Sequence, residues 1–189
     1  VTDVNGGDTD DTLTLSIDGS DVRVHDPNNE LGAGVGTTQV DDHTVDIPLA
    51  DISSIVVNAL GGDDIVTVDF SGGNPIPSGG FTFNGGTGGN DSLALAGTLP
   101  GGPFTNTTYT FTSENDGSID LDGSTIIYTG LEPISSTINA TNVTLNYSTT
   151  AETITVTDAT GGKTTVDSDV AGETVTFNNP TGTLTINAG

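Results

Sequence analysis

Ile55-Val-Val-Asn-Ala-Leu-Gly-Gly-Asp-Asp-Ile-Val-Thr-Val68 contains the pattern from which the fold of this chain is predicted. Its two apolar segments, 55–57 and 65–68, begin about ten residues apart and alternate with the period of a β-strand. The intervening glycines and aspartates are typical turn residues. The stretch therefore predicts two short strands joined by a tight corner.

Similar apolar segments recur along the whole chain. The 27 glycines and 8 prolines interrupt the sequence so often that a helix of ordinary length has no room. Short strands at even spacing are typical of a sandwich, a barrel or a solenoid. The further segments are Leu13–Ile17, Phe81–Phe83, Leu93–Leu95, Tyr109–Phe111, Ile126–Tyr128, Val143–Leu145, Ile154–Val156, Val175–Phe177 and Leu184–Ile186.

Four of the apolar triplets end on asparagine, at Asn58, Asn84, Asn178 and Asn187. An asparagine at the end of a strand can turn the chain and stack on its equivalent in the next coil. The repeated pattern favours a right-handed parallel β-helix, or β-solenoid, in which the asparagines form a ladder. Because asparagine is also a common turn residue, a β-sandwich is the alternative fold.

The charge of the chain is strongly one-sided. Twenty-six acidic residues stand against two basic ones, Arg23 and Lys163, and the net charge is −24. Nucleic acid and anionic membranes are excluded as partners because both require clustered lysine and arginine. Such a charge also favours disorder, but the apolar segments argue for a folded chain. So many carboxylates imply a counter-ion, either bound Ca²⁺ or a salty medium.

We expect one elongated segment over residues 1–189, with an Asp/Gly-rich part (1–123) and a Thr-rich part (124–189). Because cysteine is absent, neither disulfides nor thiolate metal sites contribute. The final Asn187-Ala-Gly189 stops where another turn is expected, so we expect the chain to stack head to tail on copies of itself or to continue into flanking repeats of a longer protein.

Gly85-Gly-Thr-Gly-Gly-Asn-Asp-Ser-Leu-Ala-Leu95 resembles the nonapeptide G-G-x-G-x-D-x-U-x of RTX proteins, whose tandem copies wind a β-roll around Ca²⁺. Asn58–Val68 and Asn5–Leu13 look like looser versions of the same turn. The resemblance implies Ca²⁺ as a cofactor, and the candidate ligands at the three turns are Asp8, Asp10, Asp11, Asp63, Asp64, Asn90 and Asp91.

The three candidate turns are more widely separated than in RTX arrays, where the repeats are adjacent. They can meet only if one coil of a solenoid consumes the intervening length. Ca²⁺ requires six to eight oxygen ligands, so a single turn would be an incomplete site. The alternative interpretation is that Gly-Gly-Asp-Asp forms an ordinary solvated turn.

Segments such as 54–64 and 128–133 also resemble those of very large repetitive bacterial surface proteins. That resemblance implies an extracellular or cell-surface location and a role as an adhesin spacer or filament subunit. Recurring Thr-x-Thr strands leave a ligand-binding adhesion module, for a surface glycan or ice, as the alternative. A polysaccharide-active β-helix enzyme is the distant one. We expect no catalysis, because no carboxylate pair stands out and aromatic residues are few.

Overall fold

The computed structural model describes residues 1–3, 9–87, 89–148, 152–170 and 173–189. Within these ranges the chain consists of strands, turns and one 3₁₀ turn at Leu49–Asp51, which confirms the all-β prediction. The described residues contain no helix with the length and apolar character needed to cross a membrane.

The strands are short, and most alternate between buried and more exposed side chains, as their apolar periodicity predicts. In chain order they are β1 (Thr2–Asp3), β2 (Thr12–Asp18), β3 (Asp21–His25), β4 (Leu31–Gly32), β5 (Thr38–Asp41), β6 (Thr44–Pro48), β7 (Ile55–Asn58), β8 (Ile65–Asp69), β9 (Phe81–Asn84), β10 (Ser92–Ala96), β11 (Phe104–Phe111), β12 (Gly117–Leu121), β13 (Ser124–Thr129), β14 (Ile134–Ser136), β15 (Ala140–Asn146), β16 (Ile154–Ala159), β17 (Lys163–Ser168), β18 (Val175–Asn178) and β19 (Thr183–Asn187).

Two mixed sheets contain nearly all of these strands. The long sheet has ten strands in the order β16-β17-β18-β14-β10-β8-β2-β3-β6-β5. The short sheet has seven, in the order β19-β15-β11-β12-β13-β9-β7. β1 and β4 form a separate antiparallel pair.

From β7 onward the chain crosses back and forth between the two sheets. On each return to the long sheet one strand pairs in parallel with an earlier one, giving the series β2-β8-β10-β14-β18. Parallel pairs also connect β7, β9 and β13, and then β11, β15 and β19, in the short sheet. We call each such circuit, with strands in both sheets, a pass.

Antiparallel strands interrupt and border the parallel series. β12 lies between β11 and β13, while β3, β6 and β5 extend one end of the long sheet and β17 and β16 the other. The turn between β12 and β13 is Asp122-Gly123, with φ of 51° and 95°, the two-residue loop that favours a hairpin. The sequence prediction of parallel coils overlooked these hairpins.

The core lies between the two sheets, and buried apolar side chains from Leu15 to Phe177 form one contiguous cluster. Tyr109 of the short sheet stacks on Phe177 of the long sheet, with ring centroids 6.2 Å apart. The Phe70 and Phe104 rings meet edge to face at 5.2 Å. Each pass therefore contributes side chains from both sheets to a thin core shared with its neighbours.

Candidate functional site

The strand register brings the predicted Gly/Asp turns together at one edge of the long sheet. The parallel pairs align Leu13, Val66, Leu93, Ile134 and Val175 in a single column. Two positions before each of these residues stands an acid. We call this set the carboxylate row, and its members are Asp11, Asp64, Asp91, Glu132 and Glu173.

Adjacent strands of a sheet lie about 4.8 Å apart, so one carboxylate per pass places like charges in close succession. Asp64, Asp91 and Glu173 are almost fully buried, with exposed fractions of 0%, 3% and 3%. Burial and the neighbouring charges both disfavour ionisation. The row therefore requires hydrogen-bond donors, protons or cations.

Backbone amides supply donors in the aspartate half of the row. The Asp11 N–H donates to Asp64 Oδ1 at 2.8 Å, and the Asp64 N–H donates to Asp91 Oδ1 at 2.9 Å. The series stops there, because the Glu132 N–H donates to the Asp91 backbone carbonyl at 2.6 Å. A carboxylate that accepts backbone N–H groups is stabilised in its charged form.

A second row runs beside the first, one residue earlier in each turn. The Asp63 N–H donates to Asp10 Oδ1 at 2.8 Å, and the Asn90 N–H donates to Asp63 Oδ1 at 2.9 Å. We call Asp10, Asp63 and Asn90 the outer row, because all three are exposed. Six of the seven predicted ligands are thus brought together; the seventh, Asp8, lies outside the described residues.

Close stacking of the turns explains their glycines. Gly89 has a φ of +83°, and a Cβ there would collide with the backbone carbonyl of Gly62. Gly62 has a φ of +119°, and its Cβ would lie 2.9 Å from the carbonyl oxygen of Thr9. At both positions the backbone of the neighbouring pass occupies the space that a side chain needs.

Asp64 has an unusual environment. Its Oδ2 is buried and has no hydrogen-bond partner among the described residues. Burial raises the pKa of Asp64 to about 6, the N–H of Asp11 opposes this shift, and the charge of Asp91 adds to it. At the Asp11 end of the row, Asn29 Nδ2 donates a hydrogen bond to Asp11 Oδ1 at 2.7 Å.

The glutamate half of the row borders a cavity of about 390 Å³, which we call the acid cavity. Glu173 Oε1 is buried and has no hydrogen-bond partner within the described parts of the chain. Burial raises the pKa of Glu173 to about 8, and the charges of Glu132, Glu114 and Asp116 raise it further. The lining consists of Asn90, Glu114, Glu132, Pro133, Asp167, Ser168, Glu173 and Thr174.

Sequence reasoning missed Glu132 and Glu173, because the hairpins β12–β13 and β16–β17 lengthen their passes and remove the regular spacing. A shared signal was nevertheless present. Asp11, Asp64, Asp91 and Glu173 each begin the pattern acid–x–apolar–x–apolar. Glu152 begins the same pattern but precedes β16, an antiparallel strand outside the parallel series, so the signal alone does not identify the row.

The predicted asparagine ladder is present in separate pieces. Asn84 Nδ2 donates to Asn58 Oδ1 at 2.7 Å, which confirms that pair. Asn187 donates instead to Asn146 at 2.7 Å, and Asn178 to Asn139 at 3.1 Å. The prediction of one ladder through all four asparagines is wrong, because Asn178 lies in the long sheet and the other three lie in the short sheet.

No group of three or more His, Asp or Glu side chains forms a preformed metal centre within the residues that the structure describes. In both rows the Oδ1 atoms of the aspartates accept backbone N–H groups, and the rows differ in exposure, because Asp64 and Asp91 are buried whereas the outer row is open to solvent. The outer row is therefore the part of these turns whose donor set fits Ca²⁺.

Comparison with protein-family models, with curated proteins and with solved structures gave no match.

Proposed function

We propose that this chain is a β-solenoid segment that serves as a structural repeat outside the cell, as an adhesin spacer or filament subunit. The observation that supports this most is the parallel register between successive passes in both sheets. Each pass contacts mainly its neighbours, so stability adds along an axis and length can grow without a larger core. Such an architecture suits a rigid spacer.

The proposed assembly is end to end. β19 and β7 are the edge strands of the short sheet, and each presents unpaired backbone groups on its outer side. The long sheet ends differently, in the antiparallel strands β5 and β16, whereas β7 and β19 pair in parallel with their neighbours in the short sheet. We therefore assign the axial contact to the short sheet, with β19 of one copy, or of one repeat, beside β7 of the next.

A matched pair of variants tests this contact. Leu184 on β19 and Val156 on β16 are both exposed apolar residues on edge strands, at 36% and 50%. We expect concentration-dependent association of the wild type in light scattering and axial filaments in negative-stain images. Leu184→Lys should abolish both, whereas Val156→Lys should not. Monodisperse monomers of the wild type at high concentration would contradict the proposed self-association.

We further propose that Ca²⁺ stabilises the turns through the outer row. Asp10, Asp63 and Asn90 would supply side-chain oxygens there, and the bound ion would offset the repulsion between carboxylates. Wild type dialysed against chelator should melt at a lower temperature than protein in Ca²⁺, and Asp63→Asn should reduce the difference. Equal melting temperatures with and without Ca²⁺ would remove the ion from this proposal.

The proposal assigns no catalytic role. Arg23, one of the two basic residues, donates to both carboxylate oxygens of Asp46 at 2.8 and 2.9 Å. Because its guanidinium group is held by Asp46, Arg23 is unsuited to act as the base of a polysaccharide lyase. A screen against acidic polysaccharides that detected turnover would contradict this part of the proposal.

A second candidate, ligand binding by a flat face, is favoured by one observation. Thr108, Thr144 and Thr185 are aligned across the parallel strands β11, β15 and β19. A regular array of hydroxyl groups on a flat sheet suits ice or a repetitive glycan. Thermal hysteresis and glycan-array binding should both be lost in Thr144→Tyr if this face binds a ligand.

A further inference from the structure

The acid cavity combines fixed and adjustable oxygen donors. Glu173, two residues before β18 in the sequence, is 3% exposed and lines the cavity, with its Oε1 unpartnered among the described residues. Glu114, Glu132 and Asp167 lie on the same lining and are exposed. A buried carboxylate that faces a cavity without a donor is costly unless a cation or a proton reaches it.

None of the described residues that line this cavity is basic. Arg23 is bound to Asp46 and Asp18, far along the long sheet. Lys163 starts β17, whereas the cavity residues Asp167 and Ser168 lie at the other end of that strand. Both basic residues of the sequence are therefore accounted for elsewhere.

The donor set also indicates which class of ion the cavity would take. Its lining offers carboxylates, the amide of Asn90 and hydroxyl groups, with neither histidine nor cysteine among the lining residues. Oxygen-only donors select hard cations, and flexible carboxylates suit the larger and more variable coordination shell of Ca²⁺ better than the strict octahedron of Mg²⁺.

We propose that the acid cavity binds one Ca²⁺ ion, with Glu173 as the fixed ligand and the rim carboxylates of Glu114, Glu132 and Asp167 closing over it. The rim side chains must change rotamer to do so. Glu132 Oε1 now accepts from the Asn115 amide, and Asp167 Oδ1 accepts from the Thr174 hydroxyl at 2.6 Å. The cavity shares Asn90 with the outer row but has its own carboxylates, and the site does not depend on the proposed structural role.

Negative charges surround Glu173 in and beside the cavity. Burial and the charges of Glu132, Glu114 and Asp116 raise the pKa of Glu173 to about 8. Asp167 adds a further carboxyl group to the lining. A bound cation would offset the repulsion between these groups.

Titration calorimetry of the chelated full chain with CaCl₂ tests the proposal. Removing this ligand in Glu173→Gln should weaken one calcium site at least about tenfold, the loss that even an outer-shell partner can cause. Asp10→Asn, in the outer row, is the matched control and should leave that site intact.

Terbium gives a second readout, because the ion replaces Ca²⁺ and luminesces when a nearby tyrosine is excited. The chain has three tyrosines and no tryptophan. Tyr128 is a buried residue of β13, four residues before the lining residue Glu132. Wild type should show sensitised emission that Ca²⁺ displaces, and Glu173→Gln should lose it.

The outcomes separate this site from the earlier proposals. Should Glu173→Gln fail to fold, Glu132→Gln on the exposed rim takes its place. Wild-type affinity in the folded variant, or absence of calcium heat and terbium emission in the wild type, overturns the cavity site. Loss of all calcium binding in Asp10→Asn alone would also overturn it, while leaving the outer-row proposal standing.

Discussion

The two halves of the carboxylate row share one register but are neutralised differently. In the aspartate half, Asp64 and Asp91 each accept a backbone N–H from the neighbouring pass. In the glutamate half, the Glu132 N–H donates to the Asp91 backbone carbonyl instead of a carboxylate, and Glu173, whose Oε1 has no partner among the described residues, lines the acid cavity. One methylene group separates the two residue types. In each half one buried oxygen, Asp64 Oδ2 or Glu173 Oε1, has no hydrogen-bond partner among the described residues, so the halves differ in the backbone N–H groups that Asp64 and Asp91 accept from the next pass.

The largest loss of unfolding free energy is expected from a substitution in the aspartate half. Asp91→Ala removes the acceptor of the buried Asp64 N–H, and an unsatisfied buried donor costs about 1–3 kcal/mol of unfolding free energy. Asp91→Asn retains an acceptor oxygen and should cost clearly less. Urea unfolding of both variants measures the difference. Equal stabilities would show that the amide–carboxylate bond contributes little.

The stability contributed by the glutamate half should depend on pH. A carboxyl group whose pKa is raised in the folded state binds more protons when folded, so its contribution to stability is present at low pH and is lost as pH rises through that pKa. For Glu173 the window runs from the ordinary glutamate pKa of 4.5 to about 8. In chelator, the melting temperature of wild type should fall across this window.

Glu173→Gln should flatten that fall, because the variant has no proton to lose at this position. Asp64, with a pKa raised to about 6, remains in the variant and should leave a smaller decline between about pH 4 and pH 6. A pH profile identical to that of wild type would contradict the assignment of the titration to Glu173. Thermal melts over the same buffers supply the measurement.

The smallest effect is expected in the exposed outer row. Asp10→Asn keeps an oxygen that can accept the Asp63 N–H, and exposed substitutions usually change stability by less than about 0.5 kcal/mol. Urea unfolding in chelator should therefore not distinguish this variant from wild type. A loss comparable to that of Asp91→Ala would mean that the outer row carries as much of the fold as the buried one.

Much of the local structure could be read from residues 55–68 and their relatives. Period-two apolar triplets identified the strands β7 and β8, and glycine with aspartate identified the turn between them. The hairpins were harder to predict. Their antiparallel pairing depends on short turns such as Asp122-Gly123, and in a chain this rich in glycine such turns do not stand out.

The candidate site shows the same division. Asp63, Asp64, Asn90 and Asp91 were recognisable because glycines accompany them, and glycine is required where two turns pack backbone to backbone. Glu132 and Glu173 carry no such neighbours, and hairpins of different length precede them, so their place in the row exists only through the register of β14 and β18. Local periodicity and turn chemistry act within a few residues and are visible in the chain itself. Strand pairing between residues far apart in sequence decides which carboxylates meet and which of their oxygens lack a donor, and only the folded chain contains that information.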